Sequence, residues 1–294
     1  MGGAGLVTID WGTTNRRIFA LDGAGEVISR EADALGVTAV RPGGFPGMMH
    51  ALRATHGDRL FLLAGMIGSN RGWIEVPYLP CPVTLADLAE QLAWVEPGRT
   101  AIVPGACVSG TGRVDVMRGE EVQMLGAAAA GLVPPDAGLC HPGTHAKWAQ
   151  LKGGALVDFR TVMTGELFAL LRTHSILAAQ MDRPVVDGEA FRDGVQHGFF
   201  ERALTADLFG TRAQILLGRL QPQDAASYVS GLLIGADVAI GLEIVPAGPV
   251  ALIGDPALTR LYGAALDHIG RDYREIDGEQ AFLAGIRAIA EKLA

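Results

Sequence analysis

Leu6-Val7-Thr8-Ile9-Asp10-Trp11-Gly12-Thr13-Thr14-Asn15-Arg16-Arg17 is a short apolar run closed by turn residues. Residues 6–10 predict a buried strand, and residues 17–21 and 27–30, parted by the turn-rich Asp22-Gly23-Ala24-Gly25-Glu26, predict two more. Together they form a three-stranded meander. At its first turn, Gly12 lets the chain fold tightly, while backbone amides and the hydroxyls of Thr13 and Thr14 can face phosphate oxygens. Asp10, at the strand end, is placed to hold magnesium through water, because that ion keeps several waters and takes only one or two carboxylates. The same residues also suit a plain hairpin turn.

Outward from this stretch, residues 60–64 read as another buried strand. Residues 84–95 read as a helix, with Thr84 as N-cap, Asp87 three residues on, and Leu85, Leu88 and Leu92 on one face. A strand at 101–103 follows, then an alanine-rich helix at 120–130 that ends at Gly131, with Pro134 and Pro135 beyond it. From Leu139 the order restarts. A short strand runs into His141-Pro142-Gly143-Thr144-His145, and strands at 146–151 and 155–162 flank Lys152-Gly153-Gly154. A Gly-Thr pair again ends a strand, so Gly143, Thr144 and His145 make a second candidate phosphate turn. Cys140, His141 and His145 could instead ligate a soft metal, but no fourth ligand is evident.

Helices at 165–179 and 225–240, a strand at 250–253, a helix opened by Asp255 and Pro256, a strand at 271–276 and a helix after Asp277 complete the chain. At Gly254 and Asp255 the free amides of a helix start can meet a nucleotide, although a buried strand and a capped helix would look the same. Two meanders, each followed by helix–strand alternation, predict a duplicated α/β domain with mixed sheets. The boundary falls at 134–138, giving domains 1–135 and 136–294 with an interdomain cleft suited to a ligand.

Composition narrows the partners. The net charge of -8 is spread singly along the chain, which argues against nucleic acid or an anionic membrane. Of the 24 basic residues only Lys147, Lys152 and Lys292 are lysines. Cys81, Cys107 and Cys140 lie far apart and leave an odd one over, which suits a reducing compartment. The first residues lack the pattern of a signal peptide, so a cytoplasmic location is expected. The most membrane-like window, 230–254, is broken by Asp237, Glu243 and Pro246. No Gly-Lys pair and no strand-to-helix GxGxxG occur, which disfavours the two commonest nucleotide folds. The sequence is compatible with a homodimer.

Three segments, LVTIDWGTTNRR (6–17), HPGTHAKW (141–148) and VALIGDPALTRLYGAAL (250–266), fall in the order of the phosphate 1, phosphate 2 and adenosine elements of actin-like (ribonuclease H-like) sugar kinases. Within that superfamily GMIGSNRGWIEVPY (65–78), DVMRGEEVQMLG (115–126) and FRTVMTGELFALLRTHSIL (159–177) resemble the 2-keto-3-deoxygalactonate kinases, over nearly the whole chain. The resemblance implies transfer of phosphate from ATP, with Mg2+, to the terminal hydroxyl of 2-keto-3-deoxy-D-galactonate, in galactonate breakdown. Another actin-like sugar kinase, such as an amino-sugar kinase, and a non-catalytic actin-like nucleotide-binding protein are the alternatives.

Such a reaction needs phosphate cradles, a metal and a carboxylate to deprotonate the attacking hydroxyl. Arg118-Gly119-Glu120-Glu121 lies where related kinases such as glycerol kinase carry a GDQ sequence with an aspartate base. This chain departs from that wording, so Glu120 is preferred, then Glu121, then Asp115; acids decorating a helix start to suit its dipole would look similar. A keto-acid carboxylate calls for an arginine fork or turn amides. Candidates for the sugar acid are Asn15, Arg16, Arg17 and the donor-rich loop with Ser69, Asn70, Arg71 and Trp73. Packing of Trp73 and Tyr78 into the core is the rival role for that loop.

Overall fold

The computed structural model describes residues 5–110 and 112–293. The reading of the first residues, where it concerns 1–4, lies outside the described residues. Cα packing divides the chain into two units: residues up to Pro135 with Gly153–Val157 and from Glu279 onward, and Asp136–Lys152 with Asp158–Gly278.

The first unit is built on the predicted meander. Strands β1 (Leu6–Trp11), β2 (Arg16–Leu21) and β3 (Val27–Asp33) pair antiparallel, and β1 is flanked on its other edge by β4 (Leu60–Gly65), which runs parallel to it. Beyond β4 lie β7 (Thr100–Ile102), parallel, and β6 (Ala93–Glu96), antiparallel to β7. The sheet order is β3-β2-β1-β4-β7-β6. β1 and β4 are central, so both faces are covered and their sequences are near-continuous apolar runs. Helix α1 (Phe45–His56) buries Phe45, Met49 and Leu52, members of the core that also holds Ile9, Trp11, Phe61 and Leu63.

Helix α2 (Leu85–Glu90) starts as expected. Thr84 and Asp87 form the reciprocal capping box, Asp87 accepting from Thr84 N–H at 2.8 Å. It stops well short of residue 95, because the chain from Ala93 leaves the helix to hydrogen-bond along β7. Sheet pairing suits Trp94 and Val95 better than a further helical turn. A small sheet of β5 (Leu79–Pro80), β8 (Ala106–Val108) and β9 (Asp115–Met117) was not expected; strands of two or three residues carry no readable alternation. Helix α3 (Glu120–Ala129) ends before Gly131, whose positive φ of 67° closes it.

In the second unit β10 (Ala137–His141) pairs antiparallel with β11 (Ala146–Lys152) and parallel with β13 (Val250–Gly254), which pairs parallel with β14 (Tyr273–Asp277). With β12 (Ala155–Val162) the order is β12-β11-β10-β13-β14. This repeats β3-β2-β1-β4-β7 strand for strand, so the duplication read from element order is present in the topology.

Helices α4 (Thr164–His174), α5 (Glu189–Glu201), α6 (Leu204–Leu216), α7 (Ala225–Gly241) and α8 (Pro256–His268) complete this unit. α5 and α6 were not anticipated; α5 carries glycines that weaken its helical signal. Those glycines serve packing. A Cβ on Gly194 or Gly231 would overlap the backbone of the facing helix, so α5 and α7 approach closely. α4 is also shorter than its expected 165–179. The last helix, α9 (Gly278–Glu291), buries Phe282 and Ile286 and packs with the first unit: Arg287 Nε donates to Gly25 O at 2.7 Å, and the Phe282 ring lies 6.0 Å from that of Phe19. Among the described residues no helix is long and apolar enough to cross a membrane.

Candidate active site

In the first unit the candidates gather at the carboxyl end of β1. Asp10 sits across from Arg17 in the β1–β2 ladder, and the two side chains form an ion pair at 2.5 Å. The turn beyond them is closed by Gly12 N–H donating to Asn15 O at 2.9 Å. Its carbonyl groups are already engaged: those of Gly12, Thr13 and Thr14 accept from the amides of Val37, Thr38 and Gly36. Thr13, Thr14 and Asn15 are exposed. With its acceptors turned to residues 36–38, the turn offers donors to whatever approaches, which is the polarity an anion requires.

Arg16 faces the other way. Its guanidinium forks onto Asp33 at 3.0 and 2.9 Å and lies 5.1 Å from the centre of the Trp11 ring, so it braces the meander. Trp73 is half-buried and stacks on Phe45, with centroids 6.4 Å apart and an interplanar angle of 12°. Ser69 is buried, donating to Met66 O at 2.7 Å and accepting from Arg71 N–H at 3.2 Å, so its hydroxyl shapes the loop. Asn70 and Arg71 are exposed at the tip.

Two glycines bring the carboxylates to this end of the sheet. Gly65, the last residue of β4, pairs with Trp11 and has φ 91°; a Cβ there would lie 2.8 Å from Trp11 O. Gly119 has φ 109°, and a Cβ on it would lie 3.1 Å from Gly65 Cα. Only glycine adopts such φ values without strain, and only its missing side chain allows this approach. The start of α3 is thereby set against the end of β4, one strand from Asp10.

The two glutamates there differ. Glu121 is fully buried and accepts from Gly119 N–H through both oxygens, at 2.9 and 2.7 Å. Burial first, then the charge of Glu120, pushes its carboxyl up to about 8, so it is mainly neutral at pH 7. Glu120 is half-exposed and accepts from Arg118 N–H at 3.2 Å. Asp115, at the head of β9, turns to its own neighbour and accepts from Val116 N–H at 2.8 Å. Arg118, which the sequence did not single out by itself, is buried with its guanidinium 4.2 Å from the Tyr78 ring centre and bonded to Val76 O.

In the second unit the turn after β10 is held by the start of α4. Glu166 N–H donates to Thr144 O at 2.9 Å, and its carboxylate meets His145 Nε2 at 2.5 Å. A Cβ on Gly143 would have only His145 O near it, at 4.0 Å, so the turn is open above that residue. Gly254, at the end of β13, lies beside the turn: a Cβ there would sit 3.4 Å from Pro142 O. Asp255 caps α8 by accepting from Ala257 N–H at 2.8 Å. Gly143, Thr144, His145 and Gly254 are thus one cluster, with Asp255 shaping the helix that starts from it.

Sequence reading missed Glu166 and the buried Asp237 of α7. Asp237 accepts from Trp148 Nε1 at 2.7 Å, Thr164 Oγ1 at 2.5 Å and the Tyr262 hydroxyl. Burial lifts its carboxyl to about 6, against the pull of those three donors. The available signal was an acid alone in an otherwise apolar helix.

The chain is similar to known proteins over nearly its whole length. The family model described as 2-keto-3-deoxy-galactonokinase matches residues 10–289. The 2-dehydro-3-deoxygalactonokinase of Escherichia coli (strain K12) is 38% identical over 295 residues, covering 99% of each chain. A crystal structure from Sinorhizobium meliloti assigned the same activity superposes with a TM-score of 0.91 at 33% identity, over 98% of this chain and 99% of that one. At 11% identity, the Clostridium difficile activator of 2-hydroxyisocaproyl-CoA dehydratase, solved with ADPNP, shares the fold with a TM-score of 0.52, covering 98% of this chain and 96% of that one. The repeated strand order and these superpositions make the fold actin-like, and the full-length match places the chain in the 2-keto-3-deoxy-galactonokinase family.

Proposed function

We propose that this chain phosphorylates 2-dehydro-3-deoxy-D-galactonate at its terminal hydroxyl, using ATP and Mg2+, to give the 6-phosphate in cytoplasmic galactonate catabolism. The observation that carries the reading is the close approach of Gly119 to Gly65, which sets the acid-bearing start of α3 against the strand end next to Asp10. Family membership supplies the substrate.

ATP supplies the phosphoryl group, and magnesium neutralises charge on its phosphates. The residues fit these groups: one turn has spent its acceptors internally, and the other is open above Gly143. Asp10 would hold the magnesium through water. Gly12, Thr13, Thr14, Gly143, Thr144 and His145 would hold phosphate oxygens, with Gly254 and Asp255 on the nucleotide side. Glu120 would accept the proton of the attacking hydroxyl, since it is half-exposed whereas Glu121 is buried and mainly neutral. Asn15, Arg17, Asn70 and Arg71 would bind the sugar acid, with Ser69 and Trp73 shaping their loop. The purified protein, incubated with ATP, Mg2+ and 2-dehydro-3-deoxygalactonate, should yield one monophosphate whose phosphorus couples to the C6 protons. A phosphate on any other carbon, or none, contradicts the reading.

A further inference from the structure

Asp237 is the only charged residue of α7 and is completely buried. Taking a carboxylate out of water is costly, and an apolar side chain of similar size would serve packing alone. Three donors nevertheless converge on it, from three elements: Trp148 of β11, Thr164 of α4 and Tyr262 of α8. Each element adjoins the cluster at the carboxyl ends of β10 and β13. β11 leaves the turn after β10, and α8 starts just past Gly254.

Thr164 is the most informative of the three, because the two residues after it grip the turn. A Cβ on Gly165 would lie 2.5 Å from Gly143 O and 2.8 Å from Thr144 Cα. Glu166 then takes Thr144 O through its amide and His145 through its carboxylate. A shift of the first residue of α4 would therefore move these contacts of Gly165 and Glu166 with the turn.

We propose that Asp237 is a positioning residue: through the Thr164 hydroxyl it fixes the first turn of α4, and so the placement of Gly143, Thr144 and His145 against the nucleotide phosphates. The proposal rests on the reading of that turn as a phosphate site. Nothing in it requires Asp237 to touch a substrate. The hydroxyl of Thr164 is the link, and removing it should loosen nucleotide binding while the sugar-acid side is spared.

The test uses Thr164, because changing Asp237 itself leaves buried donors without an acceptor and threatens the core. Thr164→Val keeps the shape and removes the donor; Thr164→Ser keeps the donor and removes a methyl. If Thr164→Val does not fold, Thr164→Ala, which adds no bulk, makes the same comparison. For each variant, and for Thr144→Val, the Kd of a non-hydrolysable ATP analogue with magnesium, kcat, both KM values and the thermal midpoint are measured. Thr164→Val should weaken analogue binding roughly tenfold, with the sugar-acid KM changed less than about twofold, and Thr164→Ser should stay near wild type. Equal changes in both KM values, or a Thr164→Ser defect as large as that of Thr164→Val, would reduce Asp237 to a core residue and overturn the proposal. If Thr144→Val weakens binding and Thr164→Val does not, the phosphate turn stands and the anchor falls. If Thr144→Val binds the analogue normally, the phosphate-turn reading fails and the proposal with it.

Discussion

At the scale of single residues, the adjacent acids at the start of α3 receive different roles from their surroundings. Glu120→Gln removes a proton acceptor while keeping shape, and kcat should fall by roughly 10²–10⁴-fold with little change in substrate affinity. Glu121→Gln should be mild in turnover, because that carboxyl is already mainly neutral; a severe loss confined to Glu121→Gln would move the base by one residue. Glu121 also makes a stability prediction. Its folded value, about 8, lies above the ordinary 4.5, so its contribution is fully present below about pH 4.5 and is lost as pH rises through 8. Between pH 6 and 8 the native state holds a proton the unfolded chain has released, and wild type should lose up to about 1.4 kcal/mol per pH unit relative to Glu121→Gln. Asp237, at about 6, has released most of its proton by the upper part of that window. Denaturant titrations of both proteins at pH 6, 7 and 8 give this difference; parallel curves would contradict the assignment. Asp10→Asn should lower kcat by orders of magnitude, roughly 10²-fold or more, with little loss of stability, because its charge serves magnesium and phosphate. Near-normal turnover at saturating magnesium would remove Asp10 from the site.

At the scale of elements, the glycine pair Gly65 and Gly119 decides where α3 begins. Gly119→Ala must place a side chain at φ 109° and push against Gly65 Cα. Strain of this kind costs about 1–3 kcal/mol, and any relief shifts Glu120, so the midpoint of unfolding and kcat should fall together. An unchanged kcat in a destabilised Gly119→Ala protein would mean that the approach is only structural. The same scale shows what the sequence could reveal. The turn at 12–15, the capping box at Thr84 and the cap of α8 at Asp255 are legible because their chemistry is local. The end of α2 was not, because residues 93–96 are captured by β7, a partner that local periodicity does not register. Asp237, Thr164 and Glu166 escaped for the same reason: their meaning lies in contacts to residues distant in the chain. Ser69 and Trp73 were singled out for their chemistry, yet the loop uses both for its own packing.

For the whole molecule, the repeated order of five strands turns two similar Gly-Thr turns into equivalent positions of a duplicated actin-like fold. Equivalence of position explains why a phosphate role for one strengthens that role for the other. It does not choose the acceptor, which follows from family membership. The exposed Arg71 offers positive charge for an acid, charge that a neutral hexose would not use, whereas Arg17 is already paired with Asp10. The most direct measurement is a coupled ADP-release assay with ATP and Mg2+ across sugar acids and neutral sugars. The account predicts the highest kcat/KM for 2-dehydro-3-deoxygalactonate, poor activity on glucose and glycerol, and little ADP release without an acceptor. Comparable kcat/KM for glucose or glycerol, or ADP release indifferent to any acceptor, would contradict it.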